Sequence, residues 1–494
     1  MALKTPEEYK ASLSAMRPNV YKFGELIEDV TTHSSTRYTV EGHARIFQAQ
    51  NEDEHREMYT TKSHLTGETI SRYLSVFRSP EDMLANSRMK RRTFQLTGTC
   101  TGGRCAGWSA INALFSTTWE IDDGADTEYH ARLLAWLEDA QRRDITLAGA
   151  LTDPKGDRTK APHEQSDPDM HLHIVDRDDD GGITVRGAKV MICGVAAANE
   201  LMVMPGSAYG EADAEWSVAF ATPRDAEGIT VIEARHPSDD RESSCGCDDD
   251  FDLPVKGGGI TQAYILFDDV HIPADRVFMA GEWKATRSNI MYFIGPYRAA
   301  IGACVAGQGD VMRGAAALMA RANGLDEKVF AEKLNQMAIN NETTYGVGIA
   351  SAVMGKQHPS GAWLCDPLLS NVNKIHVAKL PYETKVLAQD IAGGIAETGC
   401  MPSYVDFTDE RYGDLLQKYM GAAVDGETRA RIARLVEWLT VGAGVPGCMH
   451  GGGSPDGAKM FVRAFSDLDG HMDMAKELAG IDKDIPKPVK KQKK

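Results

Sequence analysis

The sequence predicts an α+β protein built in three consecutive parts: helical, then β, then helical. The hydrophobic period changes twice along the chain, and this carries the prediction. In RIFQAQNEDEHREMY and DTEYHARLLAWLEDAQRRD apolar residues recur at three- and four-residue spacing, as on the buried face of a helix. The next stretch breaks into short β-branched runs, among them ITLAGALTDP, ITVRGAKVMIC, WSVAFATP, GITVIEA and AYILFDDVHIP, separated by Gly, Asp and Pro turns. Helical spacing then returns in RAAIGACVAGQGDVMRGAAALMARANG, DEKVFAEKLNQMAINNETTYGVGIASAVMG and ETRARIARLVEWLTVGAG. Length agrees, since 494 residues exceed one compact core and match about three domains of ~150 residues. The predicted divisions are a helical domain at 1–143, a β-domain (a barrel or sandwich) at 144–283, and a helical bundle with its tail at 284–494.

Within this frame DDDGGI, between two alternating runs, predicts a hairpin. The Ala- and Gly-rich helix around Cys304 is expected to pack closely on a neighbour. Hydrophobic content of 42% and charged content of 25% are those of a soluble enzyme. No apolar run reaches the ~18 residues of a membrane helix, and MALKTPEEYKASLSAM lacks a signal-peptide core. A cytoplasmic protein without a membrane partner is expected. Nine cysteines at scattered spacing do not form a secreted disulfide framework. A net charge of -17 argues against nucleic acid as partner. The basic tail KPVKKQKK reads as a solvated end. The acidic segment ESSCGCDDDFD, carrying Cys245 and Cys247, reads either as a metal-binding C-x-C or as a solvated insertion.

Cys100 and Cys105 are spaced C-x4-C, and Cys304 lies far downstream. Two chemistries remain open from spacing alone. Three thiolates hold an iron–sulfur cluster between domains, or three thiols pack as small hydrophobes.

The segments TTKSHLTGETISRY, FSTTWEID, LTDPKGDR followed by AP, VRGAK, FDDVHIP, DIAGGI, MPSYVDF and MHGGGSP occur in this order. Together they resemble the 4-hydroxyphenylacetate 3-hydroxylase superfamily, and within it most closely the 4-hydroxybutyryl-CoA dehydratase branch. The resemblance runs from about residue 5 to 480. It implies an acyl-CoA dehydrogenase-like flavoprotein fold, FAD bound between the β-domain and the C-terminal bundle, and a homotetramer. It also implies that Thr152, Asp153, Pro154, Lys155 and Arg158 contact the flavin, the two cations lying near its pyrophosphate. Read without the family, the same segment is a β-turn with a salt bridge. Gly393 and Gly394 are implied near the flavin of a neighbouring subunit; by themselves they are a phosphate-approaching turn or a helix cap. Cys193 falls where the family places a flavin-contacting threonine, and is otherwise a buried thiol.

The dehydratase branch carries a [4Fe-4S] cluster on three cysteines and one histidine. The resemblance assigns the thiol positions to Cys100, Cys105 and Cys304, with one residue inserted between the first two; an alignment without a gap puts Thr101 in the first position. The histidine position, before Arg298, is Tyr297. A tyrosine there either ligates as phenolate or acts as a general base, or it packs on the flavin with the metal gone. Gln262 and Gly447 replace family glutamates, Val305 a lysine and Ile301 a tyrosine, which argues against 4-hydroxybutyryl-CoA itself as substrate. The hydroxylase branch's phenol-orienting set is also largely lost, with Trp108 and Gly149 in two of its positions. Arg104 either holds a substrate carboxylate or phenolate or makes a structural ion pair. His450 either faces the flavin as an acid/base or is a backbone-satisfied loop histidine.

The implied function is a flavin-dependent lyase or isomerase that dehydrates an acyl-type substrate, such as a CoA thioester, or migrates its double bond. Tyr297, His450 and Arg104 are its catalytic candidates. The alternative is a two-component monooxygenase without iron, supplied with reduced flavin by a separate reductase. A flavin-free scaffold is the non-enzymatic reading, and the intact LTDPKGDR and DIAGGI segments speak against it.

Overall fold

The computed structural model describes residues 3–100, 104–235, 261–441, 449–483 and 485–486. Thr101, Cys245, Cys247, Gly447 and the tail 487–494 lie outside the described residues. The N-terminal part carries α1 (Pro6–Ser14), α2 (Ser34–Asn51), α3 (Arg56–Tyr59), α4 (Pro80–Thr97), α5 (Arg104–Gly124) and α6 (Tyr129–Arg143). Their ends follow local chemistry. Thr5 and Glu8 close a capping box on α1. Ser79 caps α4 with Pro80 in its first turn, and Gly98 ends it at φ 70°.

The first 143 residues are not only helical. β1 (Val20–Lys22) and β2 (Glu25–Ile27) are strands, and β3 (Thr60–Lys62) pairs with β4 (Thr69–Ser71). Strands of three residues are too short to show an alternating period. β1 is fixed by a distant partner: Val20 pairs with Val231 in a parallel register.

The central part contributes β5 (Leu147–Ala150), β6 (His173–Arg177), β7 (Ile183–Cys193), β8 (Glu200–Val203), β9 (Val218–Pro223), β10 (Ile229–Glu233), β11 (Gln262–Ile272) and β12 (Val277–Ala280). One sheet has the order β2-β1-β10-β11-β7-β6 and the other β12-β9-β8-β5. The expected hairpin joins β6 to β7, with Gly181 at φ 90° in its turn. The two sheets share one core, to which Val185 and Ile265 come from the first and Leu201 and Phe220 from the second. Because side chains alternate along a strand, Met202, Ala219 and Ala221 face the other way. They pack on Leu114, Leu133 and Trp136 of α5 and α6.

A buried carboxylate reinforces that contact. Glu200 on β8 accepts from Arg143 at 2.6 Å, Arg276 at 2.9 Å and the Trp136 indole at 3.0 Å. Burial alone would raise its pKa, but Arg276 and Arg143 outweigh this and hold the carboxyl below its ordinary value of 4.5. A folded-state pKa below the unfolded one stabilises the fold above the ordinary carboxylate range. That contribution is lost as pH falls through the folded value. Glu200→Gln is therefore expected to be less stable than wild type near pH 7, with the difference shrinking below about pH 4. Urea unfolding at a series of pH values measures it; a pH-independent difference would show that the charge is not responsible.

The C-terminal part is built on α7 (Thr286–Ala322), crossed by α8 (Ala331–Val353), α9 (Pro367–Val377), α10 (Leu380–Ala392) and α11 (Gly426–Thr440), with α12 (Pro455–Phe465) and α13 (Leu468–Leu478) following. The small residues of α7 allow backbone contact. A Cβ on Gly302 would lie 2.2 Å from the Thr344 carbonyl oxygen, and one on Gly307 would lie 2.3 Å from that of Arg91. α8 and α4 thus lie directly on α7, on either side of Cys304. The span Trp283–Ala322 is long and apolar enough to cross a membrane, but 72% of its most apolar window is buried inside the protein, as expected of a core helix.

Candidate active site

Tyr297 and Cys304 are seven residues apart on α7, two helical turns, and so share one face. Cys105 is in the first turn of α5, which packs on α7, and Cys100 follows the end of α4. Cys193 closes β7, where the amide of its partner Gln262 on β11 donates to the sulfur at 3.7 Å. Three segments remote in sequence thus deliver four thiols and a phenol to one place.

Their electrostatics confirm that they feel one another. A hydrogen bond with the Cys100 thiol holds Cys105 below the ordinary thiol value against the cost of its burial, and the ammonium of buried Lys90 on α4 adds to this. The same hydrogen bond, with burial, drives Cys100 well up, so Cys105 is the readier of the two to ionise. Burial pushes Cys304 up to about 12 and Cys193 up to about 11. The Tyr297 phenol is driven well up by burial, and further by Cys105, Cys193, Cys100 and Cys304.

Three thiols, one already favoured as thiolate, match the ligand chemistry of an iron–sulfur cluster. The match is incomplete, because Tyr297 stands where a histidine would complete the set. Among the described residues no three Cys, His, Asp or Glu side chains converge closely enough to hold a single metal ion. A cluster spreads its ligands over several irons and asks for wider separation than one ion does.

Over Tyr297 lies the glycine turn of MHGGGSP. A Cβ on Gly452 would come within 2.8 Å of the tyrosine ring. The turn is held by Lys374 Nζ, which donates to the carbonyls of Met449 at 2.9 Å and Gly451 at 2.7 Å, and by Arg298 Nε, which donates to that of Gly452 at 2.9 Å. Arg298 also donates to Asn371. His450 is exposed on this turn.

The remaining predicted residues fall elsewhere. Arg104, one residue before Cys105, is 2% exposed, with its guanidinium between the rings of Phe47 at 4.5 Å and Tyr73 at 4.7 Å. Among the described residues its terminal nitrogens have no hydrogen-bond partner, and Asp144 is the opposing charge that acts on it most strongly. The expected substrate-binding arginine is therefore packed inside the N-terminal part as a cation stacked on aromatic faces. Trp108 is likewise structural, its indole donating to the Ser75 carbonyl at 2.7 Å. In LTDPKGDR the Thr152 carbonyl accepts from Val190 and the Pro154 carbonyl from His171. The Asp153 carboxylate is taken up by Lys189 at 2.6 Å and Tyr209 at 2.9 Å. Of the residues predicted to contact the flavin here, only Lys155 and Arg158 stand exposed. Gly393 ends α10 at φ 81°, and a Cβ on it or on Gly394 would meet nothing within 4 Å.

Sequence reasoning missed Lys90, Arg298, Lys374 and Lys189. Each is buried or nearly so, and a cation on a helix or strand ordinarily reads as solvent-facing. No local signal distinguishes them.

A helical, β and helical chain with thiols at its junction defines a flavoprotein-type architecture, and the comparisons agree. The profiles "4-hydroxyphenylacetate 3-hydroxylase N terminal" and "C terminal" match residues 5–279 and 290–480, and the chain belongs to this family. It is 38% identical over 494 residues to the 4-hydroxybutyryl-CoA dehydratase/vinylacetyl-CoA-Delta-isomerase of Clostridium aminobutyricum, covering 97% of this chain and 100% of that one. It is 24% identical to a 4-hydroxyphenylacetate 3-monooxygenase oxygenase component of a Geobacillus species, covering 90% and 89%. The solved structure of an oxygen-tolerant archaeal 4-hydroxybutyryl-CoA dehydratase from N. maritimus superposes with TM-score 0.93 at 36% identity over 99% of this chain and 98% of that one. The oxygenase component HpaB complexed with FAD shares the fold, with TM-score 0.82 at 21% identity over 96% and 98%.

Proposed function

We propose that the protein is an FAD-dependent lyase or isomerase of the 4-hydroxybutyryl-CoA dehydratase type, acting on an acyl-type substrate, with Cys100, Cys105 and Cys304 holding a [4Fe-4S] cluster. The convergence of these thiols with Tyr297 supports it most. Bound FAD supplies electron chemistry at a C–H bond beside the acyl group. The open backbone at Gly393–Gly394 suits a phosphate, Lys155 and Arg158 offer charge, and Cys193 and Gln262 offer weak polar contacts. Tyr297 Oη, whose pKa burial drives well up, donates a hydrogen bond to the substrate oxygen rather than acting as the base its position suggested. His450, exposed on the glycine turn, is the solvent-side acid/base candidate. The replacements at Gln262, Val305 and Ile301 leave the scaffold and change the acyl chain it accepts. Exposed Met460, Leu468, Met474 and Leu478 on α12 and α13 support assembly, and we read a homotetramer.

The missing histidine supports a second reading, a two-component monooxygenase without iron that takes reduced flavin from a separate reductase. Iron, acid-labile sulfide and a visible spectrum on protein purified without oxygen separate the two. About four irons per chain and a broad absorbance bleached by oxygen are expected. Flavin without iron would reject the cluster and direct the assay to reduced flavin and oxygen.

A further inference from the structure

Asp144 follows α6 and precedes β5 at φ 44°. Of the four described non-glycine residues in the left-handed region it alone is buried, at 2% exposure. Such a backbone persists only where the surroundings fix it. One carboxylate oxygen is fixed: Oδ2 accepts from the Gln50 side-chain amide at 2.8 Å and from the Lys4 N–H at 3.0 Å. The other, Oδ1, is buried with no hydrogen-bond partner among the described residues. Burial pushes this carboxyl up, and Arg104 opposes burial most strongly.

Arg104 is in the same condition, buried with both terminal nitrogens unpartnered among the described residues. Its guanidinium lies 4.5 Å from the ring of Phe47, three residues before Gln50 on α2. One face of that helix therefore touches both the cation and the carboxylate. His43, four residues before Phe47, shares the face. Its Nδ1 lies 2.8 Å from the Thr39 carbonyl, which can only accept, so Nδ1 carries the proton and Nε2 the lone pair. His43 Nε2 and Gln50 Oε1 are likewise buried and unpartnered. Two donors and three acceptors are thus left along one helix face. Each charge is the strongest opposing influence on the other, yet neither terminal nitrogen of Arg104 hydrogen-bonds to Asp144. Buried charges without hydrogen bonds are strongly disfavoured.

We propose that the gap between Arg104 and Asp144 is a binding site for ordered water, at least one molecule accepting from Arg104 and donating to Asp144 Oδ1. Gln50 Oε1 and His43 Nε2 are its further acceptors. An anion suits the guanidinium but not the three acceptors, and a metal cation suits the acceptors but not the guanidinium. Water both donates and accepts, and buried water ordinarily joins polar groups left in this way. The hydrated pair ties the first turn of α5, where Cys105 follows Arg104, to α2 and to the start of β5. It does so whichever reaction the neighbouring thiols serve.

The test is a high-resolution crystal structure of the full-length protein as purified, with a second crystal soaked in sodium bromide. A water within hydrogen-bonding distance of both Arg104 and Asp144 Oδ1, making about three hydrogen bonds in all, is expected. A gap without density, or a direct contact between the two side chains, overturns the proposal. An anomalous bromide peak at the gap shows an anion there and overturns it as well; water density without that peak supports it. Arg104→Met removes both donors at similar side-chain length, and the water should be lost from its structure. Water that stays unmoved in that variant would show that it bridges nothing. Should Arg104→Met not fold, Arg104→Lys replaces it: the water is expected to shift towards the single nitrogen, and an unmoved water again rejects the bridge.

Discussion

Cys105→Ser is expected to reduce bound iron from about four per chain to near none while leaving flavin content unchanged. Cys105 is the thiol favoured as thiolate, and the thiolate is the ligand form. Its hydroxyl replacement does not ionise in this range and binds iron weakly. The flavin should stay because LTDPKGDR and DIAGGI, which we assign to it, belong to other elements than α5. Cys365→Ser is the matched control. That thiol is also buried, but it hydrogen-bonds to Ser351 and is absent from the groups acting on Tyr297. It should keep its iron. Iron and sulfide analysis of both variants beside wild type decides the question. If Cys105→Ser keeps its iron, the ligand assignment is wrong whatever happens to activity.

Asp153→Ala should be the most destabilising single change in the predicted flavin segment, by about 3–5 kcal/mol. Lys189 is 2% exposed in its side chain and donates to Asp153 as well as to the carbonyls of Leu151 and Met204. Removing the carboxylate leaves a buried ammonium with carbonyl partners alone and deprives the Tyr209 hydroxyl of its acceptor. The loss should appear equally with and without flavin, because the pair lies within the protein. Thermal unfolding of apo- and holoprotein measures it. A loss confined to the holoprotein would instead mean that Asp153 acts on the cofactor, as the family resemblance alone would have it.

Much of the architecture could be read locally. The helical period of α6 and the Gly-marked turn between β6 and β7 are properties of a few neighbouring residues. The small-residue surface of α7 is another, and the structure places two backbones against it. β1 and β2 were hidden because their three-residue lengths carry no period; β1 takes its register from β10, and β2 pairs on β1. At the site, the pair Tyr297 and Cys304 was readable from seven-residue spacing on one helix. That Cys193 joins them was not, because it arrives from the end of a strand.

By itself the sequence determined the three-part order of the chain, the family to which it belongs, and the thiols and tyrosine that distinguish its chemistry. These are carried by residue identity and by periods no longer than a helical turn or two. Only the tertiary structure decided what surrounds them. It turned Arg104 into an aromatic-stacked anchor, closed Asp153 onto Lys189, and set Lys374 and Arg298 behind the glycine turn. The physical reason is that a charged side chain looks alike in sequence whether it meets water or a buried carbonyl. Its partner is chosen by the packing of elements tens of residues to more than a hundred residues apart.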